Sequence, residues 1–433
     1  MGYKQPHRAP GYALAFLLAA SFAGLAGAAP APPATALPAA SPAATPVTTA
    51  TASPNASPTG LLASPAPMSE AALEIELTAN LAAYLVAHAQ GEHVSAAALT
   101  VSLRDAPQPI DLAAGTMEFD GSVPLPRQSL WQIGSNTKAF TAAMILQLEA
   151  EHKLSLNDTV GKWLPQYPAW ASISIKRLLN MTSGIPTYDD VPAFRKAFAA
   201  APRTAFSIEK LIAYSRGLPL KTGYYYSNTA YLLAQLIAEK AGKDGYADQL
   251  RRRFFEPFGL TDASYTADFT PASVTARMPA GYLAVSSVSE MSALRDKDVR
   301  DYSVSWLQGA GGIISSTGDL AKWVRALYDG KVLPPAQQAE LLGVVSMKTG
   351  KPLTAPAPGD NRGFGLGVVQ VTLPGGERLW LYEGGTFGYR SLYTYVPKSG
   401  AIVVVTLNSS PEGDDIGKLF QTVYATLRKA GRV

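Results

Sequence analysis

Ser135 and Lys138 stand three residues apart in Ile133-Gly134-Ser135-Asn136-Thr137-Lys138, at the head of an apolar run through Phe140, Met144, Ile145 and Leu148. Positions i and i+3 of a helix share a face, so the hydroxyl and the amine can meet, and a serine becomes a useful nucleophile when a base reaches its oxygen. A serine at a helix start also lies among backbone N–H groups that favour developing negative charge. The spacing alone is weak evidence, because Ser207 and Lys210 repeat it; that second copy reads as an N-cap leading an exposed turn. Tyr226-Ser227-Asn228 adds a second element and is the only Tyr-x-Asn in the chain. A phenol near a lysine ammonium can have its pKa lowered toward a useful base, and an Asn amide can orient a carbonyl or amide and hold the lysine. A third element is Leu381-Tyr382-Glu383-Gly384-Gly385-Thr386 on a predicted strand, where two glycines permit close backbone approach. A substrate could pair there as an added strand, with the Thr386 N–H facing its carbonyl.

Other chemistries drop out by absence. The chain has no cysteine, which excludes a disulfide framework, a Cys nucleophile and Cys-ligated zinc. Its four histidines, His7, His88, His93 and His152, all fall early, so a hydrolase built here uses a base other than histidine. No GxxxxGK[ST], HExxH or GxSxG string occurs. Lys+Arg 37 against Asp+Glu 33 gives a net charge of +4, which leaves no nucleic-acid footprint. No metal or organic cofactor is implied.

These elements need a scaffold that brings residues near 135, 226 and 384 together. Leu73, Ile75, Leu77, Leu81, Leu85 and Val86 recur at roughly helical spacing, and 96–103 then shifts toward alternation, predicting a helix followed by a strand. Residues 110–115 suit the returning strand. Late in the chain, 367–373, 379–383, 391–396 and 401–407 are β-rich runs separated by Pro374-Gly375-Gly376 and Pro397-Lys398-Ser399-Gly400, which are hairpin signals. The middle, from 135 to about 342, is mostly helical. Ile416, Leu419, Phe420, Val423, Tyr424 and Leu427 form a closing helical stripe. Strands at both chain ends with helices between them imply an α/β (α+β) fold: one antiparallel sheet closed by the two termini, with an inserted helical lobe. The crevice between sheet and lobe is the default site.

The three elements in this order resemble the serine β-lactamase and penicillin-binding-protein superfamily, in the branch of class C β-lactamases, D-alanyl-D-alanine carboxypeptidases, D-aminopeptidases and related esterases. The likeness runs from about Leu73 to Leu427 and includes Leu178-Leu179-Asn180-Met181-Thr182-Ser183-Gly184-Ile185-Pro186, Gly309-Ala310-Gly311-Gly312-Ile313-Ile314-Ser315-Ser316 and Phe364-Gly365-Leu366-Gly367. The resemblance implies a β-lactamase/transpeptidase-like fold, Ser135 as acylated nucleophile, Lys138 and Tyr226 as acid–base pair in either order, and Asn228 as substrate-orienting group. It implies an oxyanion hole from the N–H groups of Ser135 and Thr386, with Glu383, Gly384, Gly385 and Thr386 forming the substrate-binding strand. It departs from the family at Glu383, where the family places Lys or His. Two true Lys-Thr-Gly strings, at 221–223 and 348–350, fall at the wrong places and read as surface turns. A carboxylate about 4 Å from a substrate carboxylate costs roughly 4 kcal/mol at an effective dielectric near 20, unless Arg390 neutralises it. The implied activity is an exported serine hydrolase on a small peptide, β-lactam or ester, carboxypeptidase-like or β-lactamase-like. The alternatives are a carboxylesterase or D-aminopeptidase, or an inactive protein that binds peptidoglycan or β-lactams.

The front of the chain predicts an address and a tether. Residues 1–28 read as a secretory signal, with Lys4, His7 and Arg8 as the basic part, an apolar run over 13–27 and Ala26-Gly27-Ala28 as cleavage site, so the mature protein is expected in the periplasm or outside the cell. That run is shorter than the roughly 20 residues a spanning helix needs, so no stable membrane span is expected after cleavage. Residues 29–68, dominated by Ala, Pro, Ser and Thr, predict a disordered linker before a hydrolase domain over 69–433.

Overall fold

The structure is a computed structural model that describes residues 68–433 apart from 285–287, 358, 374 and 414–415. The leader at 1–28 and all but Met68 of the linker at 29–68 lie outside the described residues. No described helix is long and apolar enough to cross a membrane.

Helix α1 (Glu70–Glu92) starts where the Ser69 hydroxyl accepts the Ala72 N–H, and it buries Leu73, Leu77, Leu81 and Leu85. Ile75 and Val86, counted with those residues at helical spacing, instead lie on the outer face, 71% and 85% exposed. Strands β1 (Ala96–Ser102) and β2 (Ile110–Gly115) follow as a hairpin. At the other end come β3 (Val345–Ser346), β4 (Arg362–Phe364), β5 (Val369–Thr372), β6 (Arg378–Gly385), β7 (Arg390–Val396) and β8 (Ala401–Leu407). All eight form one antiparallel sheet in the order β2-β1-β8-β7-β6-β5-β4-β3, so the strands nearest the two chain ends pair directly, one strand in from the β2 edge. Their register sets Ala97 opposite Leu407 and Val101 opposite Val403.

Every residue of β7 and β8 is buried, which requires cover on both faces of the sheet. Three further helices matter for the site: α2 (Thr137–Ala150), α3 (Asn228–Gly242) and α4 (Thr317–Tyr328). The closing helix, α5 (Ile416–Lys429), packs on α1 and against β7 and β8, burying Ile416, Leu419, Phe420, Val423, Tyr424 and Leu427, while α1 covers β1 and β2. Helix α4 packs on β1, β7 and β8, where Tyr328 stacks on Tyr395 and meets the Tyr393 hydroxyl. Helix α2 is buried at ten of its first eleven positions, which explains its apolar run: it is the core of the inserted lobe, packed on α3.

Candidate active site

Ser135 sits in a short 3-10 turn (Gly134–Asn136) that leads into α2, so Lys138 lies within the first turn of that helix. The i,i+3 expectation holds: Lys138 Nζ is 3.0 Å from Ser135 Oγ and also donates to the Ala310 carbonyl at 2.7 Å. Lys138 has no exposed surface. Burial pulls its ammonium down to about 7, against the opposing influence of the Asp189 carboxylate. Tyr226 comes from the turn before α3, and its hydroxyl is 2.6 Å from the same Ser135 oxygen. Its phenol moves opposite to the sequence expectation. Burial raises it well above its ordinary value, and its hydrogen bonds with Ser135 and Tyr382 only partly oppose that. Tyr226 is therefore a neutral hydroxyl, and Lys138 is the group that changes charge near neutrality.

Strand β6 approaches this turn closely enough to require glycine on both sides. A Cβ on Gly134, whose φ is +51°, would lie 2.7 Å from the Gly385 nitrogen, and one on Gly384 would lie 1.9 Å from the Ile133 carbonyl oxygen. Strand β5 pairs only with Arg378–Leu381, so the end of β6 beyond Leu381 presents an edge toward Ser135.

The register of that edge corrects three expectations. First, the Thr386 N–H donates to the Tyr389 carbonyl across the hairpin, and Thr386 is fully buried. Antiparallel ladders alternate hydrogen-bonded and non-hydrogen-bonded pairs, so the neighbouring pair Gly385–Arg390 is non-hydrogen-bonded and the Gly385 N–H points outward, toward Gly134 and Ser135. The Thr386 N–H is thus committed within the hairpin, and the N–H that lies next to Gly134 is that of Gly385. Second, side chains alternate along a strand, and it is Tyr382 that faces the lobe, with its hydroxyl 3.4 Å from that of Tyr226. Glu383 projects from the opposite face, one on which Arg390 meets Glu92 of α1. Third, Arg390 does not serve Glu383 as expected: its guanidinium donates to Glu92 and to the Ser409 carbonyl. The family's Lys-x-Gly spacing is therefore met by Tyr382-Glu383-Gly384, and the departure from the family lies in Tyr382, a phenol that burial keeps neutral. The two Lys-Thr-Gly strings pack against each other through Gly223 and Gly350, and neither lines the cavity at Ser135.

Asn228 is the first residue of α3 and lines the same cavity as Ser135 and Gly385. It does not hold Lys138. Its Nδ2 donates to Asp189 Oδ2 at 2.8 Å, and its backbone N–H donates to the Thr187 hydroxyl at 3.0 Å. The Leu178 to Pro186 phrase explains this arrangement: Met181 at φ +61° accepts the Tyr225 N–H, and its sulfur accepts that of Ser227, so the loop carrying Thr187 and Asp189 is held against the Tyr226 turn.

Sequence reasoning missed three participants. Ala310 lies inside the Gly309 to Ser316 phrase, and only its carbonyl matters. Tyr382 was legible as the first member of a Lys-x-Gly spacing ending at Gly384. Asp189 sits beside Asp190 in a polar loop and carries no signal of its own. Among the described residues, no cluster of three or more His, Asp or Glu side chains could hold a metal ion.

The arrangement can activate a hydroxyl, receive its proton and stabilise an oxyanion between the N–H groups of Ser135 and Gly385. The Beta-lactamase family model matches residues 81–425. The chain is similar to penicillin-binding protein 4* of Bacillus subtilis (strain 168), 29% identical over 289 residues that make up 64% of this chain and 60% of that protein, so it spans less than two thirds of that relative. Among solved structures it is similar to a D-stereospecific amidohydrolase from Streptomyces sp., at 26% identity and a TM-score of 0.66, covering 82% of this chain and 98% of that one. It shares the fold of D-amino acid amidase from Ochrobactrum anthropi SV3, at 22% identity and a TM-score of 0.68, covering 83% and 99%.

Proposed function

The chain belongs to the β-lactamase family, and from that premise we propose that it is an exported serine hydrolase that cleaves amide or ester bonds through an acyl-enzyme on Ser135. The observation that carries the reading is the convergence of Lys138 Nζ and Tyr226 OH on Ser135 Oγ, at 3.0 Å and 2.6 Å. Export rests on the leader at 1–28, and a peptidoglycan peptide is one candidate substrate.

With Lys138 near neutrality, its free amine takes the proton as Ser135 Oγ attacks the carbonyl carbon. The carbonyl oxygen becomes an oxyanion that accepts from the N–H groups of Ser135 and Gly385. Collapse breaks the bond to the leaving group, which takes a proton from Tyr226, and the Lys138 ammonium restores that proton. Water then attacks the acyl carbon, the acid leaves, and Ser135 recovers its hydrogen.

The cavity's charge favours the amide or ester alternative over a carboxypeptidase or penicillin-directed enzyme. Among the described residues its lining includes Asp189 and no Lys or Arg, and Tyr382 stands where the family's strand cation belongs. The likeness to a D-stereospecific amidohydrolase points the same way. The test is turnover of p-nitrophenyl butyrate beside acylation by benzylpenicillin. The expected result is Ser135-dependent ester hydrolysis with slow penicillin acylation, and a gain in the latter for Tyr382→Lys but not for Glu383→Lys. Rapid penicillin acylation of the wild type would overturn the charge argument, and no turnover of any acyl substrate would favour a binding protein on the same scaffold.

A further inference from the structure

We propose that Asp189 is a specificity-determining residue that, with Asn228, receives the ammonium group of an amino-acyl substrate, which makes the preferred acyl donor an amide or ester of a free amino acid or of an N-terminal residue. The proposal rests on the acyl-enzyme reading and names its substrate class.

Asp189 is 3% exposed yet lines the cavity at Ser135 together with Tyr188, Asn228, Trp306 and Gly385. Its carboxylate accepts from two neutral donors, the Thr187 hydroxyl and Asn228 Nδ2. The cation nearest to it in the chain is committed elsewhere: Arg195 donates to the Asp189 backbone carbonyl and pairs with the Asp190 carboxylate. Among the described residues no Lys, Arg or His forms an ion pair with Asp189. A carboxylate offers about four acceptor positions, so two remain for a ligand; Lys138 attracts this carboxylate at longer range but forms no ion pair with it, and a buried charge with no ion-pair partner is costly.

Asn228 supplies the second half of the argument. A carboxylate only accepts, so the amide end facing Asp189 must be the NH2 group, which fixes the other end as oxygen. That Oδ1 is buried and has no hydrogen-bond partner among the described residues. One N–H of the Asn228 NH2 is engaged by Asp189, and the free Oδ1 adds an acceptor beside that carboxylate. Asp189 and Asn228 therefore present acceptors on one side of the cavity, and an ammonium with three N–H donors and a positive charge satisfies both. Tyr188 and Trp306, 1% and 6% exposed, add aromatic surface suited to an apolar side chain on the same acyl group.

The test compares phenylalanine p-nitroanilide, as each enantiomer, with 3-phenylpropionyl p-nitroanilide, which lacks only the ammonium, and with the N-acetylated amide. The wild type is expected to prefer at least one free-amine enantiomer over the desamino compound by about tenfold or more in kcat/KM, the scale of a hydrogen bond to a charged group. In Asp189→Asn the preference should collapse toward one. Because the ratio is taken within one protein sample, the folded fraction and any shift in Lys138 cancel, whereas a purely structural role would lower both rates and keep the ratio. If the variant does not fold, the wild-type ratio still decides. A wild-type ratio near one, or an unchanged ratio in Asp189→Asn, would overturn the proposal. If no compound is turned over while a fluorophosphonate still labels Ser135, the ammonium assignment alone fails. If Ser135 is not labelled either, the acyl-enzyme reading fails with it.

Discussion

Lys138 should give this protein a rate that climbs with pH through about 7, the value to which burial lowers its ammonium. The amine acts as a base only when unprotonated. At pH 7 an ordinary lysine, with a pKa near 10.4, is unprotonated in about one molecule in 2,500, whereas one at about 7 is half unprotonated, a gain of about 10³ in competent sites. Below the inflection the rate should fall tenfold per pH unit, to about 100-fold below the plateau at pH 5. The assay is the single-turnover acylation rate with p-nitrophenyl butyrate from pH 5 to 9.5, corrected with Ser135→Ala, since this substrate carries no titrating group. A flat profile, or an inflection above 9, would refute the assignment of Lys138 as base. The same shift has a stability consequence. The folded-state value lies below the unfolded one, so between about 7 and 10 the unfolded chain holds the extra proton and stability rises with pH; the cost of burying the charge is fully present below 7. Lys138→Met should thus be more favourable relative to wild type at pH 6 than at pH 9 in denaturant melts, while abolishing turnover.

Asp189→Asn removes the carboxylate that opposes the effect of burial on Lys138, so the inflection should move below 7; an upward move in the same assay would contradict the electrostatics. Gly134→Ala places a methyl against the Gly385 backbone at a left-handed φ, and should lower the melting temperature and cut the acylation rate by about 10²-fold, the scale of one lost oxyanion donor. Wild-type kinetics in that variant would remove Gly385 from the site. Glu92→Ala takes the carboxylate from a buried group that includes Arg390 and the Tyr84 hydroxyl, and should cost about 3–5 kcal/mol in urea titrations. A loss below about 1 kcal/mol would mean that this pair does not brace α1 against β7.

What the sequence made legible was local. The Ser135–Lys138 spacing follows from helix geometry, and the late strands follow from alternation bounded by turns, which is why β8 spans the predicted 401–407. Pairing of the chain ends also followed, because strands at both ends need partners. What escaped was set by a single residue of register. Thr386 and Gly385 are adjacent, and only the ladder decides which N–H faces outward; the same step decides that Tyr382 rather than Glu383 faces the lobe. Arg390 found its carboxylate at Glu92, 298 residues away, where no local pattern points. Ile75 and Val86 fit the spacing yet face outward, because spacing alone does not say where the buried stripe of a helix ends. Asp189 is one of two adjacent carboxylates in the sequence, and only the packing of the Tyr226 turn against its loop sets it apart.

The central claim is that Ser135 is the acylated nucleophile. The measurement that tests it most directly is intact mass and peptide mapping of the full chain after reaction with a fluorophosphonate, beside Ser135→Ala. The account predicts one adduct per chain, mapped to the peptide bearing Ser135, forming faster as pH rises through about 7, and absent from the variant. An adduct on another residue, or equal labelling of Ser135→Ala, would contradict it.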